Sequence, residues 1–180
     1  FHGVMNDISS ALPGVYNADS MGIVPGGGTF AMEAVARQFA TDQKVMILRN
    51  GWFSFRWTQI LETGDIPSEA IVVKARRTGN DSQSPFSPMP IAELVTKIKD
   101  EKPYVFFAPH VETSSGIILP DDYITAIAEA VHSVGGLFVL ACIASGCIWV
   151  DMAATGVDLL ISAPHTGWFA SPSRGLVSVH

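Results

Sequence analysis

Little of this 180-residue chain is charged: Asp, Glu, Lys and Arg together supply 16%, where soluble domains usually carry about 25%. The balance is acidic, with a formal net charge of −6. A general nucleic-acid or anionic-membrane surface needs a basic excess, so neither partner is expected. Cysteine is nearly absent. Cys142 and Cys147 are too few for a disulfide framework, and no His/Cys cluster of metal-ligand spacing accompanies them, so no zinc site is expected. Both read as buried free thiols of a reducing, cytoplasmic compartment. No apolar run reaches the ~20 residues that span a bilayer. The start, Phe1-His2-Gly3, has no initiator Met and no signal peptide, and reads as an excised or processed piece.

Apolar residues are plentiful, at 48%. The length suits one sizeable core, so a single domain over residues 1–180 is expected. Fully buried strands account for the apolar excess, and so does partner-facing surface left on a domain cut from a larger assembly. Short apolar runs alternate with helical patterns, which is the signature of a mostly parallel sheet covered on both faces. The predicted strands are Met21–Val24, Val45–Leu48, Ala70–Lys74, Val105–Ala108, Leu137–Leu140, Asp158–Ser162 and Gly175–Val179. Helices are predicted over Phe30–Ala40, with Thr29 as N-cap, over Pro90–Asp100 and over Asp121–Ser133. The last opens with two acids that suit the helix dipole and stops at Gly135-Gly136. The polar stretch from Lys74 to Pro90 reads as an exposed loop. Arg174, Ser178 and His180 make the last strand more polar than a buried central strand should be.

Three strand ends carry motifs. Pro25-Gly26-Gly27-Gly28-Thr29 lies between a strand and a helix, where glycines admit close approach and a helix N-terminus favours an anion. A P-loop needs a Gly-Lys-Ser/Thr ending, which Phe30 and Ala31 refuse. The run satisfies G-x-G-x-x-A, but a dinucleotide site wants an acid about 20 residues on, and the second strand ends Leu48-Arg49-Asn50. A purely structural tight turn stays open beside a phosphate cradle. The second strand feeds Asn50-Gly51-Trp52-Phe53-Ser54-Phe55-Arg56-Trp57, an aromatic cluster that in isolation is more often core than ligand platform. The fourth feeds His110-Val111-Glu112-Thr113-Ser114-Ser115-Gly116. A lone His near a strand end is usually structural. A Ser-His-Asp hydrolase is a poor alternative, since no G-x-S-x-G elbow exists.

From about Asp19 to Val179 these motifs, in this order and each at a strand end, resemble class V aminotransferases of the alanine-glyoxylate and serine-pyruvate kind, which use pyridoxal phosphate (PLP). The resemblance implies the large domain of fold type I: a three-layer α/β/α sandwich on a mostly parallel seven-stranded sheet whose last strand is antiparallel. It implies a cofactor-binding set of Gly27, Gly28 and Thr29 at the phosphate, Phe53 stacked on the pyridine, Thr113 near the ring oxygen, and His165. It also implies a homodimer with sites at the interface. The family's N-terminal segment and C-terminal small domain are missing from the match.

Two positions depart from the family. Ala141 stands where it has the Asp that faces the pyridine nitrogen, and Thr166 where it has the Lys that holds the cofactor as an imine. Thr166 has no amine and Ala141 no charge, so no catalytic residue is expected here and no cofactor is expected bound. The chain reads as an inactive, engineered or degenerate large-domain fragment. The alternatives are a small-molecule or anion-binding module using the vacated cleft, with phosphate or sulfate at Gly27–Thr29, and an aminotransferase of residual activity.

Overall fold

Alternation of short apolar runs with helical stripes folds this chain into a sheet with helices packed on both faces. A computed structural model describes residues 2–180; Phe1, on which the reading of the chain's start partly rests, lies outside the described residues. Two helices open it, α1 (His2–Ala11) and α2 (Pro13–Tyr16). Then come β1 (Ser20–Pro25), α3 (Gly28–Phe39), β2 (Lys44–Arg49), α4 (Trp52–Thr63) and β3 (Glu69–Lys74). A small ribbon, β4 (Arg76–Arg77) and β5 (Phe86–Ser87), precedes α5 (Ile91–Glu101) and β6 (Val105–Pro109). A second ribbon, β7 (Val111–Glu112) and β8 (Ile117–Ile118), leads to α6 (Asp121–Ser133) and β9 (Leu137–Ala141). The chain closes with α7 (Met152–Thr155), β10 (Leu159–Ser162), α8 (Pro164–Gly167) and β11 (Arg174–Val179).

The main sheet has seven strands in the order β1-β11-β10-β9-β6-β2-β3. Pairs from β10 through β9, β6 and β2 to β3 are parallel. β11 runs antiparallel to both of its neighbours, β1 and β10. The period of two along a strand separates two cores. Met46 and Leu48 of β2 join Leu94 and Ile98 of α5 and Ile124, Ile127 and Val131 of α6. Val45 and Ile47 face the other way, onto Met32 and Val35 of α3 and Trp57 and Leu61 of α4. All seven predicted strands are present, within a residue or two of the expected bounds.

The structure departs from several expectations. Thr29 is not the N-cap of α3: the helix starts at Gly28 with Gly27 as cap and no side-chain cap, so Thr29 sits in the first turn. A backbone that needs φ of +123° at Gly26 turns in before a threonine can cap. The last strand is not left exposed by its polar residues, because Ser178 is 0% exposed and small enough to pack under cover. Only one thiol is buried. Cys142 is enclosed at the end of β9, whereas Cys147 lies on the exposed segment that follows. The Lys74–Pro90 stretch is largely exposed but pairs Arg76–Arg77 with Phe86–Ser87. Helices α1, α2, α4, α7 and α8 lie outside the three predicted ones. Large apolar side chains stay on the surface as well, among them Phe30, Trp52, Phe53 and Phe169.

Candidate cofactor cleft

Ligands in open α/β sheets bind past the carboxyl ends of the strands. Here a cavity of about 410 Å³ opens there, beyond β6 and β9 and against the first turns of α3 and α4. Gly28 and Thr29 form one wall, Phe53 and Arg56 another, and Thr113, Ala141, His165 and Thr166 complete it. Of the residues the resemblance implies for the cofactor, together with Ala141 and Thr166, all but Gly27 line the cavity. Gly27 is adjacent, since a Cβ placed on it would lie 3.7 Å from His165 Cε1. A Cβ at Gly28 would come within 2.7 Å of Ile143 Cδ1, so that turn accepts only glycine without displacing Ile143.

The α4 wall is organised from a distance by Glu112, which is 0% exposed. Its carboxylate accepts the Phe53 N–H at 3.0 Å, the Ser54 N–H at 2.8 Å, the Ser54 hydroxyl at 2.6 Å and the Ser114 hydroxyl at 2.6 Å. The Trp52 N–H donates to Ser114 Oγ at 2.7 Å. A helix N-terminus leaves N–H groups without partners; here the buried acid takes two of them and Ser114 a third. Burial alone would raise the Glu112 pKa, but the hydrogen bonds from Ser114, Ser54 and Phe53 outweigh it and hold the carboxyl below its ordinary range. The capped helix then presents the Phe53 ring, 54% exposed, to the cavity. From the next turn, Arg56 donates to Thr29 Oγ1 at 3.2 Å and ties the α4 wall to the α3 wall.

His110 does not line the cavity. It is 2% exposed and its Nδ1 lies 2.8 Å from Ser145 Oγ, while burial pushes its pKa down, so it is a neutral structural imidazole. Ala141 ends β9 as expected. Thr166 does not end a strand: β10 stops at Ser162, and Thr166 sits exposed on the short turn α8. Both still face the one cavity. Sequence reasoning passed over Arg56, Met32, Trp57 and Ile143 as lining residues. Arg56 could have been found, because it stands one helical turn after Phe53. Ile143 could not, because it approaches from an irregular segment.

Among the described residues, the lining contains no lysine and no carboxylate, and Arg56 is its one permanent charge. None of Lys44, Lys74, Lys97, Lys99 and Lys102 lines it. These residues do not fit a covalently held PLP, which needs an amine at the aldehyde and an acid at the ring nitrogen. No group of three or more His, Cys, Asp or Glu able to hold a metal occurs among the described residues.

No protein-family model matches the chain. It is 27% identical over 157 residues to 2-aminoethylphosphonate–pyruvate transaminase from Paraburkholderia phymatum, covering 86% of this chain and 39% of that protein. It is 26% identical over 158 residues to serine–glyoxylate aminotransferase from Hyphomicrobium methylovorum, covering 87% and 37% respectively. The crystal structure of ureidoglycine-glyoxylate aminotransferase from Bacillus subtilis matches its fold with a TM-score of 0.83, over 99% of this chain and 44% of that one, at 21% identity. The chain therefore spans less than half the length of these proteins.

Proposed function

Because the relatives and structural neighbours of this chain are aminotransferases of the PLP-dependent class V kind, matched over the large domain, we propose that it is a cofactor-free, catalytically inactive form of that domain. One observation carries this reading: the cavity is lined by Ala141 and Thr166 and by no lysine or carboxylate. Bound PLP supplies an electron sink, and the residues that would hold it covalently and protonate its ring are replaced. The replacements also suit an empty pocket. An unpaired carboxylate beside the 9%-exposed Ala141 position would be costly to desolvate. Their joint occurrence is consistent with removal of the site by engineering or by degeneration.

A second reading is favoured by the surviving cavity itself. About 410 Å³, with the Gly27–Thr29 turn at one end and Arg56 beside it, suits weak non-covalent capture of a small anion such as phosphate or sulfate. A homodimer would bring further groups to the cleft mouth, where Phe53 is exposed. No helix among the described residues is long and apolar enough to cross a membrane, and a reducing cytoplasm suits the free thiols.

The test is to add PLP to the full chain, record the visible spectrum, and treat with borohydride. The expected outcome is no long-wavelength band of a covalent adduct and no single lysine labelled on peptide mapping. Stoichiometric labelling of one lysine would overturn the inactive reading.

A further inference from the structure

A second cavity, of about 230 Å³, lies past the carboxyl ends of β2 and β3 and shares no lining residue with the cleft. Arg49, Asn50, Lys74, Phe86, Ser114 and Ser115 face it. We infer that this is a binding site for a small phosphate-type dianion, either the free ion or the phosphate of a small monoester.

Charge comes first. Arg49 and Lys74 are paired in register at the ends of adjacent parallel strands. Among the described residues, neither has a carboxylate partner. Arg49 lies 4.9 Å from the Phe55 ring centroid and donates one long bond, 3.4 Å, to Thr58 Oγ1, which leaves the rest of its fork unused. The nearby acid Glu112 is already engaged by Phe53, Ser54 and Ser114, and it does not line this cavity. A chain of net charge −6 thus concentrates two unpaired cations in one concavity, where low-dielectric walls focus their field.

Unmet hydrogen bonding is the second, independent observation. Asn50 is 2% exposed, and neither its Oδ1 nor its Nδ2 has a partner. Ser115 Oγ is likewise buried without one. Buried polar side chains in folded proteins are nearly always satisfied, and each exception asks for an explanation. An oxyanion between Arg49 and Lys74 would accept from the Asn50 amide and the Ser115 hydroxyl after small side-chain shifts. Arg matches phosphate with two parallel donors, and Lys adds a point charge. The cavity is smaller than the ~300–1,000 Å³ of drug-sized ligand sites, so it takes a phosphate with at most a short carbon body.

The experiment titrates inorganic phosphate, at constant ionic strength set with chloride, into the isotope-labelled full chain and follows backbone amide shifts. A parallel arm uses glycerol 3-phosphate. Saturable shifts are expected at Gly51, Ala75 and Ser115. Lys74→Gln should weaken binding at least tenfold, Lys74→Glu should abolish it, and Lys74→Arg should retain it. Lys74 is exposed, so these variants keep the fold, which the same spectra verify. Tighter binding of the monoester assigns the site to a small phosphorylated metabolite, and tighter binding of phosphate assigns it to the free ion. Shifts confined to Gly27–Thr29, or a Lys74→Gln protein that binds phosphate as tightly as the parent, would overturn the proposal.

Discussion

Glu112 helps to hold the cleft in shape, although it is not among the residues that line the cavity. Its carboxylate takes two backbone N–H groups and the Ser54 hydroxyl from a helix nearly sixty positions earlier in the chain, together with the Ser114 hydroxyl. Hydrogen bonds to a charged group contribute about 1.5–3 kcal/mol net, so Glu112→Gln should cost that much at pH 7 in a urea unfolding experiment. The pH dependence has a definite sign. The folded pKa lies below the ordinary value, so the stabilisation is complete above the unfolded value, about 4.3, and is lost as pH falls through the folded pKa. The gap between parent and Glu112→Gln should therefore narrow in acid. A gap of constant size from pH 7 to pH 3 would mean that the carboxylate charge is not what holds α4. The sequence string His110 to Gly116 contained this residue, but its partner helix is remote in sequence, and a contact of that separation leaves no local signal. Gly28, Thr29, Phe53 and Thr113, named through the family resemblance of the short strings that carry them, line the cavity, and Gly27, named with them, lies beside it.

Elements were legible where burial made their composition uniform. β6 reads Val-Phe-Phe-Ala-Pro and is buried along its whole length, and α6 shows its stripe of Ile124, Ile127, Ala128 and Val131 because that stripe is the core face. Helix α4 hid itself by mixing its faces. Its Ser54 and Thr58 are buried beside Trp57 and Leu61 while Trp52 and Phe53 point outward, so polar and aromatic residues fall on both faces and the periodic signal blurs. Ser54 can be buried because Glu112 accepts its hydroxyl, and Thr58 because Arg49 donates to it. Helix α1 has no buried residue, so no periodic apolar face was there to find. Local stability should follow the same division. In native-state hydrogen exchange, β6 and β9 amides should be protected to near the global unfolding free energy, about 5–15 kcal/mol, and α1 amides hardly at all. Protection of α1 comparable to β6 would show that its face is covered, for instance by a second copy.

At the scale of the whole molecule, Ala141 and Thr166, the two positions proposed to have been replaced, differ in what an Asp or a Lys there should do. Thr166 is exposed on α8, and a surface change of that kind usually stays within about 0.5 kcal/mol. Ala141 is 9% exposed with no lysine or carboxylate beside it in the cavity. An Asp there would have its folded pKa raised by burial. Its penalty would be present at neutral pH and would fade as pH drops below the unfolded value, about 3.9. Each tenfold weakening of that acid on folding costs about 1.4 kcal/mol. Thermal unfolding should thus find Ala141→Asp weakened at pH 7 and nearly parental at pH 3.5, while Thr166→Lys is unaffected at both. Adding PLP should reverse the order. Thr166→Lys should then acquire a visible covalent band, Ala141→Asp alone none, and the double variant a band of higher affinity, because the new carboxylate would meet a protonated ring nitrogen. Even so, the double variant should transaminate poorly. The chain spans 39% of the phosphonate transaminase it matches, and orientation of a substrate can account for ~7 kcal/mol or more of a barrier. A folded double variant with no PLP band would mean that the cleft has lost more than two residues, with Ile143 at the glycine turn the first to suspect.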